Sequence, residues 1–354
     1  METFEGIVAK ENNKTKIWEV PFDINSNFIT LPKKLIVENK IKDGMRIKCK
    51  VESRLIMEIM SISGRPVKDY QKTGMKQTII NPNEKFEFGK SKFDSLRILD
   101  LFVPIAKGTR GLIVSPPKAG KTTLLENLTK EINLIEPEVR TIVLLIDERP
   151  EEITEFQMNT NSIVFHSSMD QDNSKHIRLA KLMIKHIEFE LDAGNDIVIL
   201  LDSLTRIGRA FNRDDSKSRG KTLSGGLGAN ALQIPRKLFG LGRNIQEGGS
   251  CTILATILKD TGSRMDEIIF QEFKGTGNCD IILDRDIAEQ RIFPAINIQE
   301  SGTRKDEKFI SLEKLEQINS LRRNLLKRDK ADAISFMKQL LKNYDSNNEL
   351  LKEA

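Results

Sequence analysis

One short segment constrains the fold of this chain more than any other. Ser115–Thr122 reads Ser-Pro-Pro-Lys-Ala-Gly-Lys-Thr, and it lies between the apolar run Gly111–Val114 and a stretch with apolar residues at helical spacing, Lys121–Ile132. A strand, a Gly-Lys-Thr turn and a helix in this order are typical of a P-loop, in which backbone N–H groups and the helix N-terminus hold a phosphate. Serine stands at position 115 where the usual pattern has its first glycine, so an ordinary turn that opens a helix is the alternative.

The residue types of this loop predict its chemistry. Lys121 is expected to bridge the β- and γ-phosphates of ATP, as a catalytic and a binding residue, and the Thr122 hydroxyl is expected to ligate Mg²⁺. The residues predicted to contact the nucleotide here are Pro117, Lys118, Ala119, Gly120, Lys121, Thr122 and Thr123. ATP and Mg²⁺ are therefore the predicted ligands.

Two further apolar runs end in acidic residues. Asp196–Asp202 predicts a buried strand that holds the Asp202 carboxylate beside the metal. Core strands commonly end in aspartate, so this pattern is informative only in combination with the P-loop. Leu144–Glu152 predicts a strand that delivers an Asp-Glu-Arg cluster to the carboxyl edge of a sheet, where α/β folds bind ligands. Glu148 is the predicted general base for the attacking water, and a surface ion-pair cluster is the alternative.

Apolar runs alternate with helical stretches from about residue 95. The runs of strand length are Thr141–Ile146, Ile197–Leu201 and Thr252–Ile257. Lys175–Leu191 has apolar residues at helical spacing, and the chain after Asp306 is helical in pattern. This alternation predicts a parallel α/β sheet, so residues 95–354 are predicted to form one α/β domain with a helical C-terminal part.

The first 62 residues follow a different pattern. Five short β-rich stretches are separated by polar turns: Phe4–Ala9, Lys16–Val20, Phe28–Leu31, Arg46–Val51 and Leu55–Ile62. Five short strands in so few residues predict a small all-β barrel of the OB type over residues 1–62. Residues 63–94 combine glycine and proline with charged residues and are predicted to be a linker.

Charge is concentrated at the front of the chain. Residues 1–80 hold 15 Lys/Arg and 10 Asp/Glu, whereas the other 274 residues hold 41 of each sign, so the net charge of +5 lies in the first part. A basic end on a neutral body predicts contact with a polyanion there, and a solvated lysine-rich surface is the alternative.

The patterns of cysteine, histidine and apolar residues exclude several classes of protein. The three cysteines form no Cys-x-x-Cys pair and the three histidines have no metal-site spacing, so neither a disulfide scaffold nor a zinc site is indicated. No apolar run approaches the ~20 residues of a membrane span, and Met1–Lys10 does not resemble a secretory signal. The expectation is a cytoplasmic protein without a membrane partner.

The motifs together resemble the motor domain of the bacterial transcription termination factor Rho family. The matching segments are Ser115–Thr122, Leu144–Glu152, Asp196–Arg206, Gly225–Ala231, Gly248–Ser250, Asp260–Glu267, Phe273–Gly277, Arg291–Ile296 and Ser301–Lys305. The resemblance covers about residues 95–310 strongly, and the Pro-Pro-Lys loop with Asp-Glu-Arg-Pro-Glu-Glu distinguishes this family from rotary ATP synthases and protein-export ATPases. It implies a RecA-like P-loop motor that works as a hexameric ring, with ATP at subunit interfaces and RNA in the centre.

The resemblance also implies roles for residues outside the loop. Arg149 and Arg206 belong to the polar network around the γ-phosphate, and Phe293 packs on adenine. Arg304 is the arginine finger supplied by the neighbouring subunit, with Arg291 assisting it. By residue type alone, a surface arginine and a core aromatic are the alternatives for Arg304 and Phe293.

RNA in the channel is implied to meet two loops. The first spans Ser216–Gly226 and includes Gly220 and Lys221, and the second is Thr261-Gly262-Ser263-Arg264. Family members commonly carry lysine at the last of these positions, and arginine keeps the charge but changes the hydrogen-bond geometry. A solvated basic surface is the alternative for both loops.

The front end matches the family less well. Asp23–Val51 resembles the second half of the family's OB-type RNA domain, but the preceding helical segment and the Gly-Phe-Gly-Phe-type stacking motif have no counterpart. Phe28 is the candidate for base stacking, with a core position as the alternative. We therefore expect a weakened primary RNA site that relies on Lys and Arg and is sensitive to salt.

The predicted function follows from the motor and its partners. RNA-stimulated ATP hydrolysis would drive an ATP-dependent RNA helicase along nascent RNA and release the transcript from RNA polymerase. An RNA-binding regulator without full termination activity is one alternative, against which the complete catalytic set argues. A hexameric protein-export ATPase is another, against which the Pro-Pro-Lys loop and the OB-like front argue.

Overall fold

The computed structural model describes residues 2–11, 14–20, 27–70, 78–160, 162–217 and 226–353 of the chain. These residues form two sheets, one of six strands near the N-terminus and one of nine strands in the rest of the chain. Within the described ranges, none of the helices combines the length and the apolar character that crossing a membrane requires.

The N-terminal sheet is antiparallel and has the order β3-β2-β1-β4-β5-β6. Its strands are β1 (Glu2–Glu11), β2 (Lys14–Glu19), β3 (Phe28–Thr30), β4 (Arg46–Glu52), β5 (Leu55–Ile62) and β6 (Arg65–Pro66). Helix α1 (Lys33–Glu38) joins β3 to β4, and β3 lies in contact with β5 across the open side. Three strands, a helix and two strands, with β1 paired to both β2 and β4, form the partly open barrel of an OB fold.

Strand β1 shows why the barrel sits where it does. Ile7, Val8 and Ala9 are all buried, although neighbours in a strand point to opposite faces. Val8 packs in the barrel core, whereas Ile7 and Ala9 pack with Trp18 against the helical layer of the second sheet. Both faces of this strand are therefore covered, one by the barrel and one by the motor.

The nine-stranded sheet has the order β10-β9-β11-β13-β8-β14-β15, with β12 and β7 attached beside β13. Its strands are β7 (Ile79–Ile80), β8 (Arg110–Ser115), β9 (Arg140–Glu148), β10 (Ile163–Ser168), β11 (Ile197–Asp202), β12 (Arg243–Ile245), β13 (Ser250–Leu258), β14 (Cys279–Ile282) and β15 (Gly302–Thr303). The six strands β10, β9, β11, β13, β8 and β14 run parallel to one another, and β15 pairs antiparallel with β14 at the edge. Because helices cover both faces, these strands are continuous apolar runs, which confirms the predicted α/β fold class.

The helices flank this sheet and extend to the C-terminus. They are α2 (Val67–Tyr70), α3 (Asp94–Phe102), α4 (Lys121–Ile135), α5 (Pro150–Asn159), α6 (Asn173–Asp192), α7 (Leu204–Lys217), α8 (Gln233–Phe239), α9 (Arg264–Phe273), α10 (Arg285–Glu289), α11 (Leu312–Leu325), α12 (Lys330–Lys342) and α13 (Asn347–Glu353). The last three pack on α3 and share one apolar core with it. Part of the segment predicted to be a linker joins that core, because Phe86 and Phe88 are fully buried there.

A buried charged cluster joins the barrel to the motor. Glu190 on α6 accepts hydrogen bonds from Nε and Nη2 of Arg46 on β4, at 2.9 and 3.1 Å. His186, one turn earlier, contacts the Gly44 carbonyl through Nδ1 at 3.0 Å and the Arg140 guanidinium through Nε2. A neutral imidazole satisfies both contacts, since Nδ1 donates to the carbonyl and Nε2 accepts from the arginine. The two parts of the chain are therefore held by specific polar contacts as well as by apolar packing.

This cluster predicts how stability depends on pH. Burial, with the Arg140 charge adding to it, lowers the pKa of His186 to about 3. The unfolded chain takes up this proton first, so the contribution of neutral His186 is full above pH ~6.5 and is lost as the pH falls toward 3. Between pH 6.5 and 5 the unfolding free energy is expected to fall by up to about 1.4 kcal/mol per pH unit from this group alone. Urea unfolding of the unmodified chain and of His186→Asn should show a shallower slope in the variant; equal slopes would contradict the assignment.

Candidate nucleotide-binding site

The P-loop connects the carboxyl end of β8 to the first turn of α4. Ser115 is the last strand residue, it is fully buried, and its backbone pairs with Leu258 of β13. An extended residue needs no glycine, so serine fits the position at which the usual pattern has one. Gly120 caps α4 at φ +87°, which only glycine adopts without strain. The loop therefore keeps the glycine that its geometry requires.

Two acidic side chains face the P-loop lysine. The Lys121 ammonium pairs with Asp202 Oδ2 at the end of β11, and it lies 3.9 Å from Glu148 Oε2 at the end of β9. The Thr256 hydroxyl on β13 donates to Asp202 Oδ1 at 2.8 Å and fixes the orientation of that carboxylate. Three neighbouring parallel strands thus bring their carboxyl ends to one place, and phosphate oxygens of a nucleotide would compete for the same ammonium.

Glu148 is almost completely buried, with 2% of its surface exposed. Oε1 accepts from Arg206 Nη2 at 2.6 Å and from the Arg149 backbone N–H at 3.2 Å, whereas buried Oε2 has no hydrogen-bond partner among the described residues. Burial raises the pKa of Glu148, and the Asp202 charge raises it further. A carboxylate with one oxygen anchored and the other unsatisfied is suited to accept a proton from water.

Helix α7 carries three arginines that anchor the carboxyl edge of the sheet. Arg206 donates to the Asp147 carbonyl as well as to Glu148, and Arg213 donates to Asp147 Oδ2 at 3.1 Å. Arg209 forms a forked ion pair with Asp266, whose Oδ2 also accepts from the Thr261 hydroxyl at 2.6 Å. One helix therefore links the predicted base to the Thr261–Arg264 loop.

The nucleotide pocket is a cleft of about 1010 Å³ beside the P-loop. Phe293 lies on its wall with 38% of its surface exposed, and its ring would be 3.4 Å from a Cβ placed on Gly120. Arg149, Arg206 and Glu152 line the phosphate end. An aromatic face at one end and charged groups at the other match the base and phosphates of a nucleotide.

The oxygen donors present fit Mg²⁺ bound together with phosphates. Thr122 supplies a hydroxyl and Asp202 a carboxylate, and no nitrogen or sulfur ligand is needed. The described residues contain no group of three or more His, Cys, Asp or Glu side chains arranged around a metal position. Mg²⁺ usually takes one or two carboxylates and completes its shell with water and substrate phosphates, so the chain does not require such a group.

The two other predicted catalytic arginines lie apart. Arg304 follows β15, and its backbone N–H donates to the Asn278 carbonyl. The Asn278 N–H in turn donates to the Arg110 carbonyl, so Arg304 lies near the amino end of β8. The carboxyl end of β8 is five residues further, or about 16 Å at the usual rise of a strand. Arg291 is exposed in the turn before Phe293 and does not line the pocket. Arg304 therefore does not reach the nucleotide pocket of its own copy.

The predicted RNA-contacting residues fall in three places. Thr261 and Gly262 lie in the loop beyond the carboxyl end of β13, and Arg264 is the first residue of α9. Gly220 and Lys221 lie outside the described residues. Phe28 is 43% exposed on the outer face of β3, where its ring is tilted against Trp18 at 4.9 Å.

Fold and site together define a P-loop ATPase whose nucleotide pocket lies at the carboxyl edge of a parallel sheet. Residues 95–303 match the nucleotide-binding domain of the ATP synthase alpha/beta family. A solved ATPase from the type III secretion system of pathogenic bacteria is similar in fold, with a TM-score of 0.65, 19% identity, and coverage of 86% of this chain and 91% of that one.

Curated relatives identify the family more closely. Transcription termination factor Rho of Karelsulcia muelleri is 46% identical over 300 residues, covering 84% of this chain and 79% of the relative. The factors of Pseudomonas aeruginosa and Cereibacter sphaeroides are 49% and 51% identical, covering 77% and 72% of this chain but 66% and 60% of their own lengths. The chain belongs to the transcription termination factor Rho family. The predicted family and the prediction of an ATP-hydrolysing enzyme are confirmed.

Several functional residues were missed in the sequence. Trp18 and Lys16 flank Phe28, with the Lys16 ammonium 3.7 Å from the centre of the Phe28 ring. Arg209 and Asp266 connect helices α7 and α9, which are far apart in the sequence. The spacing of the arginines at 206, 209 and 213 on one helix face was the available signal.

Proposed function

We propose that the chain, assembled as a ring of identical copies, uses ATP hydrolysis to move along single-stranded nascent RNA and to release the transcript from RNA polymerase. The observation that carries this proposal is the separation of the catalytic groups. Lys121, Asp202 and Glu148 converge at the P-loop, whereas Arg304 lies at the opposite edge of the sheet. An arginine finger in that position can complete only the site of a neighbouring copy.

Nucleotide binding is proposed to rearrange the phosphate end of the pocket. The phosphates would compete with Asp202 for the Lys121 ammonium. The released Asp202 carboxylate would then hold Mg²⁺ together with the Thr122 hydroxyl. Bound there, Mg²⁺ would neutralise charge on the phosphate oxygens. Phe293 would support the adenine at the other end of the cleft.

Hydrolysis is proposed to begin with proton transfer to Glu148. A water between Oε2 and the γ-phosphate would lose its proton to Oε2, while Arg206 and the Arg149 backbone keep Oε1 in place. Its raised pKa makes Glu148 a stronger base than an exposed glutamate. Arg304 of the neighbouring copy would stabilise the charge that develops on the transferred phosphoryl group.

Coupling to RNA is proposed to pass through helix α7. Thr261 bonds Asp266, Asp266 bonds Arg209, and Arg206 one turn earlier bonds Glu148. RNA contact at the Thr261–Arg264 loop would therefore act on the orientation of the base through one rigid helix.

The direct test is ATP hydrolysis with and without single-stranded RNAs of different sequence. RNA is expected to raise kcat, and Lys121→Ala is expected to abolish hydrolysis because the phosphates lose their cation. Transcript release from stalled elongation complexes should depend on the same residue. Hydrolysis that RNA does not stimulate would refute the motor proposal, and RNA binding without hydrolysis would favour the regulator alternative.

The barrel is proposed to hold RNA by one exposed aromatic ring and by charge. Phe28 and Lys16 lie on the outer face of β3 and β2, the face with which OB folds bind oligonucleotides, whereas Trp18 on the same face is buried. Lys16 also bonds Glu11 at 2.8 Å, so a base that stacks on Phe28 would displace this lysine toward the RNA backbone.

Replacing Phe28 by alanine is expected to weaken RNA binding by ~1–3 kcal/mol, the usual value for one stacked base. Trp18 is the only tryptophan of the chain, so its fluorescence reports binding at the adjacent ring. Leu55→Ala, exposed elsewhere on the same barrel, is the matched control. Equal affinities for the two variants would show that Phe28 does not stack on RNA, and affinity should fall steeply with salt in either case.

A further inference from the structure

The edge of the sheet that carries Arg304 holds an unusual concentration of positive charge. A cavity of about 240 Å³ there, the edge cavity, is lined by three cationic side chains and by no carboxylate: Arg110, Arg304 and Lys305. Arg110 is half-buried, and none of the three has an ion pair among the described residues. Burial of charge without a partner is costly, so this arrangement calls for an anionic partner.

A fourth arginine increases the imbalance. Burial lowers the pKa of the Arg110 guanidinium, and the charge of nearby Arg243 lowers it further. Arg243 itself donates through Nη2 to the Gly240 carbonyl, and its buried Nε has no partner among the described residues. Burial raises the pKa of half-buried Asp280 on β14, although the charges of Arg304 and Lys274 oppose that rise. Asp280 does not line the edge cavity.

The opposite edge of the molecule carries a complementary stripe. Glu151, Thr154, Glu155 and Met158 lie at positions i, i+3, i+4 and i+7 of α5, so they share one helix face. All four are exposed, Met158 at 82%, and neither glutamate forms an ion pair with a described residue. We call this face the α5 stripe. Arg149 caps the N-terminus of α5, and Arg149 and Glu152 line the nucleotide pocket.

The two surfaces must meet if Arg304 completes a neighbouring site. If the Arg304 side chain enters the nucleotide pocket of the next copy, then Arg110 and Lys305, which line the same cavity as Arg304, come to lie beside that pocket. Helix α5 is one of the elements beside that pocket, which it reaches through Arg149 and Glu152. We propose that the α5 stripe of one copy docks on the edge cavity of the next, with Glu151 and Glu155 paired to Arg110 and Lys305 on either side of Arg304. This inference rests on the proposed function, from which it takes the ring and the role of Arg304.

Charge reversal with mixing tests the pairing. One variant carries Glu151→Lys and Glu155→Lys, and the other carries Arg110→Glu and Lys305→Glu. Alone, each variant places like charges together at every interface and is expected to need at least about a tenfold higher concentration to assemble. In an equimolar mixture, an alternating ring has opposite charges at every interface, so assembly and ATP hydrolysis are expected to return. Sedimentation with ATP measures assembly, and circular dichroism verifies that each variant is folded.

A matched control reverses two exposed glutamates at helical spacing elsewhere. Glu313→Lys with Glu316→Lys on α11 should assemble as the unmodified chain does. The pairing is wrong if the folded variants stay unassembled when mixed, or if the α5 variant assembles normally while the edge variant instead loses binding of inorganic phosphate or RNA. If the unmodified chain assembles and hydrolyses ATP, those results leave the proposed function standing. An unmodified chain that stays monomeric with ATP and RNA would overturn the ring, and the pairing with it.

Discussion

Replacing Glu148 by glutamine is expected to lower kcat for ATP hydrolysis by about 10²–10⁴-fold while nucleotide binding is retained. Glutamine keeps the shape of the side chain and still accepts from Arg206 through its amide oxygen, but it cannot take a proton from water. The amide also leaves no charge to be buried, so the variant should fold at least as stably as the unmodified chain. Single-turnover hydrolysis and binding of a fluorescent nucleotide separate the two effects.

The pH dependence provides a second test of the same residue. Burial raises the pKa of Glu148, with a further contribution from Asp202, and the base acts only when it is deprotonated. On acidification, kcat is therefore expected to fall at a pH above the ordinary range of glutamate, and this acid limb should be absent from the residual activity of Glu148→Gln. Glu126→Gln, on α4 but outside the lining of the nucleotide pocket, is the matched control and should keep both kcat and the pH profile. A Glu148→Gln variant with nearly full kcat would assign the base elsewhere.

Replacing Arg304 by alanine is expected to lower kcat by about 10³–10⁵-fold, the range measured for arginine fingers supplied in trans. The residue is exposed, and among the described residues its side chain makes one hydrogen bond, to the Gly275 carbonyl at 3.5 Å, so little stability should be lost. Arg285→Ala, which removes an exposed arginine paired with Glu289, is the control for general loss of positive charge.

Mixing distinguishes a trans finger from any role within one copy. Arg304→Ala copies keep an intact pocket, and Glu148→Gln copies keep an intact finger, so interfaces that combine the two are complete. In a randomly mixed ring about a quarter of the interfaces have this composition, and a corresponding share of the activity should return. Two inactive variants that stay inactive when mixed would place the action of Arg304 within its own copy.

The residues of the candidate nucleotide site come together because each lies at the end of a buried strand or shortly after it. Gly120, Lys121 and Thr122 follow β8 after the short loop 116–119, and Glu148 and Asp202 are the last residues of β9 and β11. Parallel strands place their carboxyl ends at one edge, so local patterns alone bring these groups together. The helical C-terminal part and the β-rich front were also predictable, because the spacing of apolar residues along the chain differs between helices and strands.

Contacts between distant segments were not predictable in this way. Asp266 joins Arg209 to Thr261, and Glu190 joins the motor to Arg46 of the barrel, although no local pattern marks either pair. Trp18 reads as an ordinary strand residue, and only the pairing of β2 with β3 places it beside Phe28. Such pairs depend on which elements become neighbours.

By itself, therefore, the sequence determined the P-loop, the acids at the strand ends and the division into an antiparallel front and a parallel α/β motor, because these follow from local spacing and periodicity. The tertiary structure decided the strand order, which places β8 between β13 and β14 and carries Arg304 to the edge opposite the phosphates. Periodicity records which face of a strand is buried but not which strand lies beside it. For that reason the chemistry of one copy could be predicted from the chain, and the surfaces that would complete it in a second copy could not.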